Sequence, residues 1–160
     1  GSQDWMKAAL IAKAAGVGRN AFRFVGFEGG GEANEALRKG HVDVVSGDYS
    51  EALGLIRAGA QLRMLAVLAP SRLPHQPKEV PTAREAGTDI VWTNIRGVYM
   101  GPRVPDADYA RWVSIMNKLL THPAFIQLRA DKGLLPLAQT GQDFSARVES
   151  QVRDYQRFLS

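Results

Sequence analysis

Three short loops rich in glycine and serine stand where the sequence predicts that helices begin. Main-chain N–H groups in the first turn of a helix lack partners within the helix and carry partial positive charge, so they suit a carboxylate or a phosphate. Tight turns explain the glycines of any single loop equally well, but three such loops along one edge favour a site for an anion. The loops are Gly1-Ser2-Gln3, Gly29-Gly30-Gly31 and Ser46-Gly47-Asp48-Tyr49.

The glycine pattern favours a carboxylate over a nucleotide. Residues 27–31 read Phe-Glu-Gly-Gly-Gly, which matches neither the phosphate-binding loop G-x-x-x-x-G-K-[ST] nor the dinucleotide fingerprint G-x-G-x-x-G. The predicted ligand is therefore a small organic acid.

Four side chains near these loops each allow two interpretations. Asp48, with Glu51 three residues later, is either a helix N-cap or an acceptor for a ligand hydroxyl or ammonium group. Arg96 is either a bidentate clamp on a carboxylate or one half of a structural ion pair. Phe27 and Tyr49 either wall the pocket or belong to the core.

The sequence contains no recognisable catalytic or metal-binding pattern. Cysteine is absent, and His41, His75 and His122 are scattered along the chain. There is no G-x-S-x-G turn, no H-E-x-x-H helix and no pair of carboxylates at a catalytic spacing. We therefore expect binding without turnover, with no metal and no organic cofactor.

The elements expected to position these residues alternate between strand and helix. Such alternation with short loops predicts an α/β fold with a parallel sheet, because crossovers between parallel strands are right-handed. Asn94 and Arg96 should share one face of a long strand, since strand side chains alternate. The predicted strands are 22–27, 41–45, 62–68, 90–100 and, weakened by Pro136, 134–137; the predicted helices are 3–15, 32–39, 51–58, 82–86, 107–120, 124–132 and a last one opened by Thr140 and Asp143.

Composition excludes several classes of protein. The 160 residues are 45% hydrophobic and 22% charged, which is typical of a globular domain and not of a disordered chain. No apolar stretch approaches the ~20 residues of a membrane-spanning helix. The net charge of +4 is spread along the chain, so no nucleic-acid footprint is indicated.

Four stretches resemble a known family, the periplasmic solute receptors of tripartite tricarboxylate transporters, also called Bug receptors. The similarity runs through the whole chain, and the last stretch is the most specific. The stretches are Gly1-Ser2 with the helix to Ala15-Gly16-Val17, residues 24–33 (FVGFEGGGEA), residues 40–51 (GHVDVVSGDYSE), and Ser71-Arg72 leading to residues 80–87 (VPTAREAG) and 94–98 (NIRGV).

The resemblance implies a two-lobed protein of the type II periplasmic-binding topology. Residues 1–91 would be nearly all of the second lobe, and residues 92–160 the returning part of the first. The rest of the first lobe and a signal peptide would precede Gly1, and the apolar surface that this leaves uncovered predicts self-association. The implied partners are a small di- or tricarboxylate and the membrane permease subunits, and the implied location is the periplasm.

The resemblance also implies a set of ligand contacts made largely by main-chain N–H groups. They are Ser2, Phe27, Gly29, Gly30, Gly31, Ser46, Gly47, Asp48 and Tyr49. Arg96 is a further candidate, because its guanidinium can clamp a carboxylate. The sequence departs from the family at two points: Ile95 stands where Trp is frequent, and Asp48-Tyr49 replaces small neutral residues. A negative charge beside a tricarboxylate is unfavourable unless another group offsets it.

Two other classes remain open. The effector-sensing domain of a LysR-type regulator shares the two-lobed topology but works in the cytoplasm beside a DNA-binding head. A small-acid enzyme of the α/β type is the other. The proline-rich segment 71–87 favours the transporter receptor, and the residues upstream of Gly1 would discriminate, because a helix-turn-helix there means a regulator.

Overall fold

A computed structural model describes residues 3–18 and 21–159. The chain divides into two compact units, Gly1–Arg96 and Gly97–Ser160. The assignment of residues 1–91 and 92–160 to two lobes stays a prediction.

The first unit contains three helices, α1 (Gln3–Ala14), α2 (Gly30–Arg38) and α3 (Tyr49–Arg57). Each follows the predicted position to within two residues at its ends. Gly40, at φ 71°, follows the end of α2, where its N–H donates to the carbonyl of Leu37 and the next N–H donates to that of Ala36. This is the left-handed glycine cap that the sequence predicts.

The predicted parallel sheet is wrong. The described residues are 47% helical and 1% strand, with no sheet. None of the segments 22–27, 41–45, 62–68, 90–100 and 134–137 forms a ladder, and the strand content is one isolated parallel bridge between Val67 and Thr82. Apolar runs report which side chains favour burial, but a strand also needs a neighbouring backbone along its length.

The core of the first unit surrounds that bridge. Val67, Ala69 and Val80 are buried together, and Tyr49, Met64 and Leu73 pack against them. The N–H of Val67 donates to Pro81 O (3.0 Å), and the N–H of Ala83 donates to Val67 O (2.9 Å). Thr82, between them, has 2% of its surface exposed and is the most deeply buried of the residues that the structure describes.

The proline-rich segment folds back onto this core through Arg72 and Glu85. The guanidinium of Arg72 donates to Glu85 (2.9 Å) and to the carbonyl of Lys78 (3.1 Å). Glu85 accepts from the N–H of Thr82 (2.9 Å), while the Thr82 hydroxyl accepts from the N–H of Glu85 (3.2 Å), a reciprocal capping box. The predicted helix at 82–86 is only a hydrogen-bonded turn, which ends at Gly87 with φ 88°.

The second unit contains α4 (Asp106–Thr121), α5 (Pro123–Asp131) and α6 (Gly141–Leu159). The helices are confirmed, and α4 packs against α5. The hydroxyl of Thr140, immediately before α6, donates to Asn117 Oδ1 on α4 (2.7 Å), and the capping role expected of Thr140 stays a prediction. None of the residues from 97 to 157, all of which the structure describes, is buried.

Candidate functional site

The segment 92–96 connects the starts of α1 and α3. The indole N–H of Trp92 is shared between Gln3 Oε1 at the start of α1 (3.3 Å) and Asn94 Oδ1 (2.9 Å). The side chains of Asn94 and Arg96 both donate to the carboxylate of Asp48, immediately before α3. Asn94 and Arg96 therefore share one face, as the sequence predicts, although no strand forms.

Asp48 holds the N-cap position of α3, but its side chain caps no N–H group. The carboxylate, with 19% of the side chain exposed, instead accepts from Asn94 and Arg96. The capping interpretation of this side chain is wrong. Its negative charge is offset by the guanidinium of Arg96 and by the ammonium of Lys7, 3.8 Å away.

Lys7 is the member of this cluster that the sequence analysis missed. It lies on α1 with 4% of the residue exposed, and Nζ donates to the carbonyl of Gly47 (3.1 Å) and pairs with Asp4 (2.8 Å). A buried lysine needs such partners. The Asp4 and Lys7 spacing indicates only an ordinary surface pair on a helix, and nothing local in the sequence indicates the contact 40 residues away.

The start of α2 lies against the start of α3. Gly29 is the N-cap, Gly30 and Gly31 form the first turn, and no side chain caps this helix. The carboxylate of Glu51, on α3, lies so close to Gly30 that a Cβ there would collide with Oε2. Glu51 Oε1 is 3.6 Å from the guanidinium of Arg96. The carboxylate of Glu51, in the first turn of α3, thus lies beside both the start of α2 and the guanidinium of Arg96.

Phe27 and Gly31 line a different feature, an open groove of about 500 Å³ along α2. Its walls carry charges of both signs, from Glu32, Glu35 and Lys39. The arrangement does not select for an anion, since acidic and basic groups are both present.

The remaining predicted contacts lie elsewhere. Tyr49 packs against the core cluster, and its hydroxyl is buried without a hydrogen-bond partner. Burial raises the pKa of the Tyr49 hydroxyl, and the charge of Arg57 opposes this only in part. Ser46 is half-buried, and Ser2 lies outside the described residues. The structure therefore brings together Gly30, Gly47, Asp48 and Arg96, with Gly29 next to them.

The described residues contain neither a metal site nor a membrane-spanning helix. Within residues 3–18 and 21–159, no three His, Asp or Glu side chains are arranged to hold a metal ion. No described helix combines the length and the hydropathy needed to cross a bilayer.

The family model of the tripartite tricarboxylate transporter family receptor matches residues 1–159. The chain belongs to this family. Such receptors bind small-molecule substrates and work with membrane subunits of the transporter. The family is periplasmic and is one of solute-binding receptors, not of enzymes. No curated protein and no solved structure matched the chain.

Family membership distinguishes between the interpretations of the sequence. The resemblance to the Bug receptors is confirmed. The LysR-type alternative receives no support. The family has a periplasmic-binding-protein-like fold, whereas the described residues of this receptor contain no sheet.

Proposed function

We propose that this receptor captures a small di- or tricarboxylate in the periplasm and delivers it to the membrane subunits of its transporter. The observation that carries the proposal is the meeting of the uncapped starts of α2 and α3 with the guanidinium of Arg96. Orphan N–H groups and a guanidinium are the groups that hold carboxylates in proteins.

Arg96 is suited to contact a ligand while it remains bonded to the protein. Its guanidinium is oriented by Asp48, yet 62% of the side chain is exposed. A guanidinium has five N–H donors, so donors not used by Asp48 are available to a carboxylate. Asp48 therefore serves as the positioning group for Arg96, with its own charge offset as described above.

Lys7 holds the loop before α3 in place. Its bond to the carbonyl of Gly47 ties α1 to the loop before α3. A fixed loop keeps the N–H groups of Gly47 and of the first turn of α3 in one orientation, which reduces the ordering cost of binding. The proposed contacts are the main-chain N–H groups of Gly29 and Gly30 and of residues 47–49, together with the side chain of Arg96.

Calorimetric titration of the 160-residue chain with citrate and with succinate tests the proposal. We expect saturable binding of at least one acid and none of succinamide, which has the size of succinate without its charges. Arg96→Met should weaken binding by about tenfold or more, because a charge-assisted contact is lost. Arg63→Met removes an exposed arginine of the same unit and should leave binding unchanged.

Equal binding of succinamide and the acids, or full affinity in the Arg96→Met variant, would contradict the proposal. Circular dichroism and melting curves of both variants show that a loss of binding is not a loss of folding.

A further inference from the structure

The carboxylate of Glu51 lies where the proposed ligand carboxylate would bind. Oε2 lies against Gly30, the first residue of α2, and Oε1 is 3.6 Å from the guanidinium of Arg96. These are the helix start and the cation that the proposed function assigns to the ligand. A side chain of the protein therefore places a carboxylate beside the Cα of Gly30 and near the guanidinium of Arg96, next to the same helix start and the same cation.

Glu51 is also the carboxylate held least firmly in the cluster. Asp4 pairs with Lys7 at 2.8 Å, and Asp48 accepts from both Asn94 and Arg96. Glu51 has a longer ion pair, and 47% of its side chain is exposed. A half-exposed carboxylate with a long ion pair can move into water at little cost.

The sum of the charges in the cluster also identifies Glu51 as the least firmly held carboxylate. Lys7 and Arg96 supply two positive charges, while Asp4, Asp48 and Glu51 supply three negative ones, so the sum is −1. The first two carboxylates neutralise the two cations. Glu51 is the surplus charge, and an incoming anion is repelled by it as long as it stays at Arg96.

We propose that Glu51 is an internal competitor of the ligand. This inference rests on the proposed function. In the ligand-free receptor its carboxylate occupies Arg96 and the start of α2, and a bound organic acid displaces it towards solvent. Glu51 thereby lowers the affinity for the ligand. The net free energy of binding is the difference between the interaction of the ligand carboxylate and the interaction of the Glu51 carboxylate with the same groups.

Replacing the carboxylate by an amide tests the competition. Glu51→Gln should bind citrate or succinate about tenfold more tightly than the unmodified chain, because the competing charge is gone. Glu51→Ala, which has neither the carboxylate nor the amide of the Gln variant, should also bind the acid more tightly than the unmodified chain. Glu149→Gln removes an exposed carboxylate on α6 and should change affinity less than twofold.

A double-mutant cycle separates competition from general repulsion. If Glu51 and the ligand compete for Arg96, the gain from Glu51→Gln shrinks in an Arg96→Met background to the part that competition at the start of α2 contributes. Long-range repulsion by Glu51 would persist there at nearly full size. Titrations followed by amide NMR extend the measurement to the weak binding expected of the Arg96→Met chains.

The outcomes distinguish this inference from the proposed function. Binding of citrate or succinate to the unmodified chain with no gain in Glu51→Gln overturns the competition and leaves the proposed function standing. A gain that persists at nearly full size in the Arg96→Met background also overturns the competition. Absence of binding in the unmodified chain and in both Glu51 variants overturns the proposed function, and the competition with it.

Discussion

At the scale of single residues, the polar cluster shows how context decides the role of a side chain. Asp48 stands where helices usually have a capping residue, yet its carboxylate bonds to Asn94 and Arg96, 46 and 48 residues away. Lys7 has the sequence context of a solvated helix face and is 4% exposed. In both cases a charged partner distant in sequence overrides the local preference.

The buried hydroxyl of Tyr49 should reduce the free energy of unfolding of the first unit. Its hydroxyl is buried without a hydrogen-bond partner in the described structure, and such a group costs about 1–3 kcal/mol of desolvation. Tyr49→Phe should therefore raise the free energy of unfolding of the first unit by about 1 kcal/mol. Urea unfolding, followed by the amide NMR signals around Val67, measures this.

The control for Tyr49 is Tyr99, whose side chain is largely in solvent, at 74% exposed. Tyr99→Phe removes the same hydroxyl and should leave stability unchanged. A Tyr49→Phe chain that is less stable than the unmodified one would mean that the hydroxyl is satisfied in solution, and that the core placement of Tyr49 is incomplete.

At the scale of elements, the sequence predicts what depends on neighbours in the chain. The helices are predictable because apolar spacing and a glycine cap such as Gly40 act within one or two turns. The shared face of Asn94 and Arg96 is predictable from the alternation of side chains along an extended segment, which is also a local property. The sheet was not predictable, since ladder hydrogen bonds need partners far along the chain.

The candidate site follows the same division. The glycine-rich helix starts at Gly30 and Asp48 were visible as local patterns. The roles of Lys7 and Glu51 were not, because their contacts with Gly47, Gly30 and Arg96 join different elements. The stretch with the most specific resemblance to the family is divided: residues 71–87 fold back onto the core of the first unit, whereas Asn94 and Arg96 belong to the polar cluster.

The turn at 82–87 predicts a pH dependence. The N–H of Thr82, and after it Arg72, hold the pKa of Glu85 below its ordinary value of about 4.5. A carboxyl group whose pKa is lowered by folding stabilises the native state above its unfolded pKa, and this contribution is lost as pH falls through the native pKa. Stability of the first unit should therefore decrease between about pH 4.5 and more acidic values.

Glu85→Gln should remove this part of the acid sensitivity. The variant should be less stable than the unmodified chain near neutral pH, and the difference should decrease as the pH falls through the lowered pKa of Glu85. Hydrogen exchange at the Ala83 N–H, which donates to Val67, reports on the turn directly. Glu79→Gln changes an exposed carboxylate of the same segment, and acid sensitivity that is equally reduced there would refute the assignment to Glu85.

At the scale of the whole molecule, the distribution of apolar surface differs between the two units. The first unit has a buried cluster, whereas no residue from 97 to 157 is buried. Tyr109, Trp112, Ile115 and Leu119 lie along one stripe of α4 at helical spacing and are 40–50% exposed. Contiguous apolar surface of this kind favours association, so we expect the chain to self-associate.

Light scattering coupled to size-exclusion chromatography tests self-association across a range of concentrations. The apparent mass should rise above 17.5 kDa as concentration increases. Trp112→Glu places a charge in the stripe and should restore the monomer, because a charge buried in an apolar contact is costly. Ser114→Glu adds the same charge at a position about 160° around α4 from Trp112. This variant should have the same apparent mass as the unmodified chain. A chain that stays monomeric at every concentration would contradict the expected self-association through the stripe on α4.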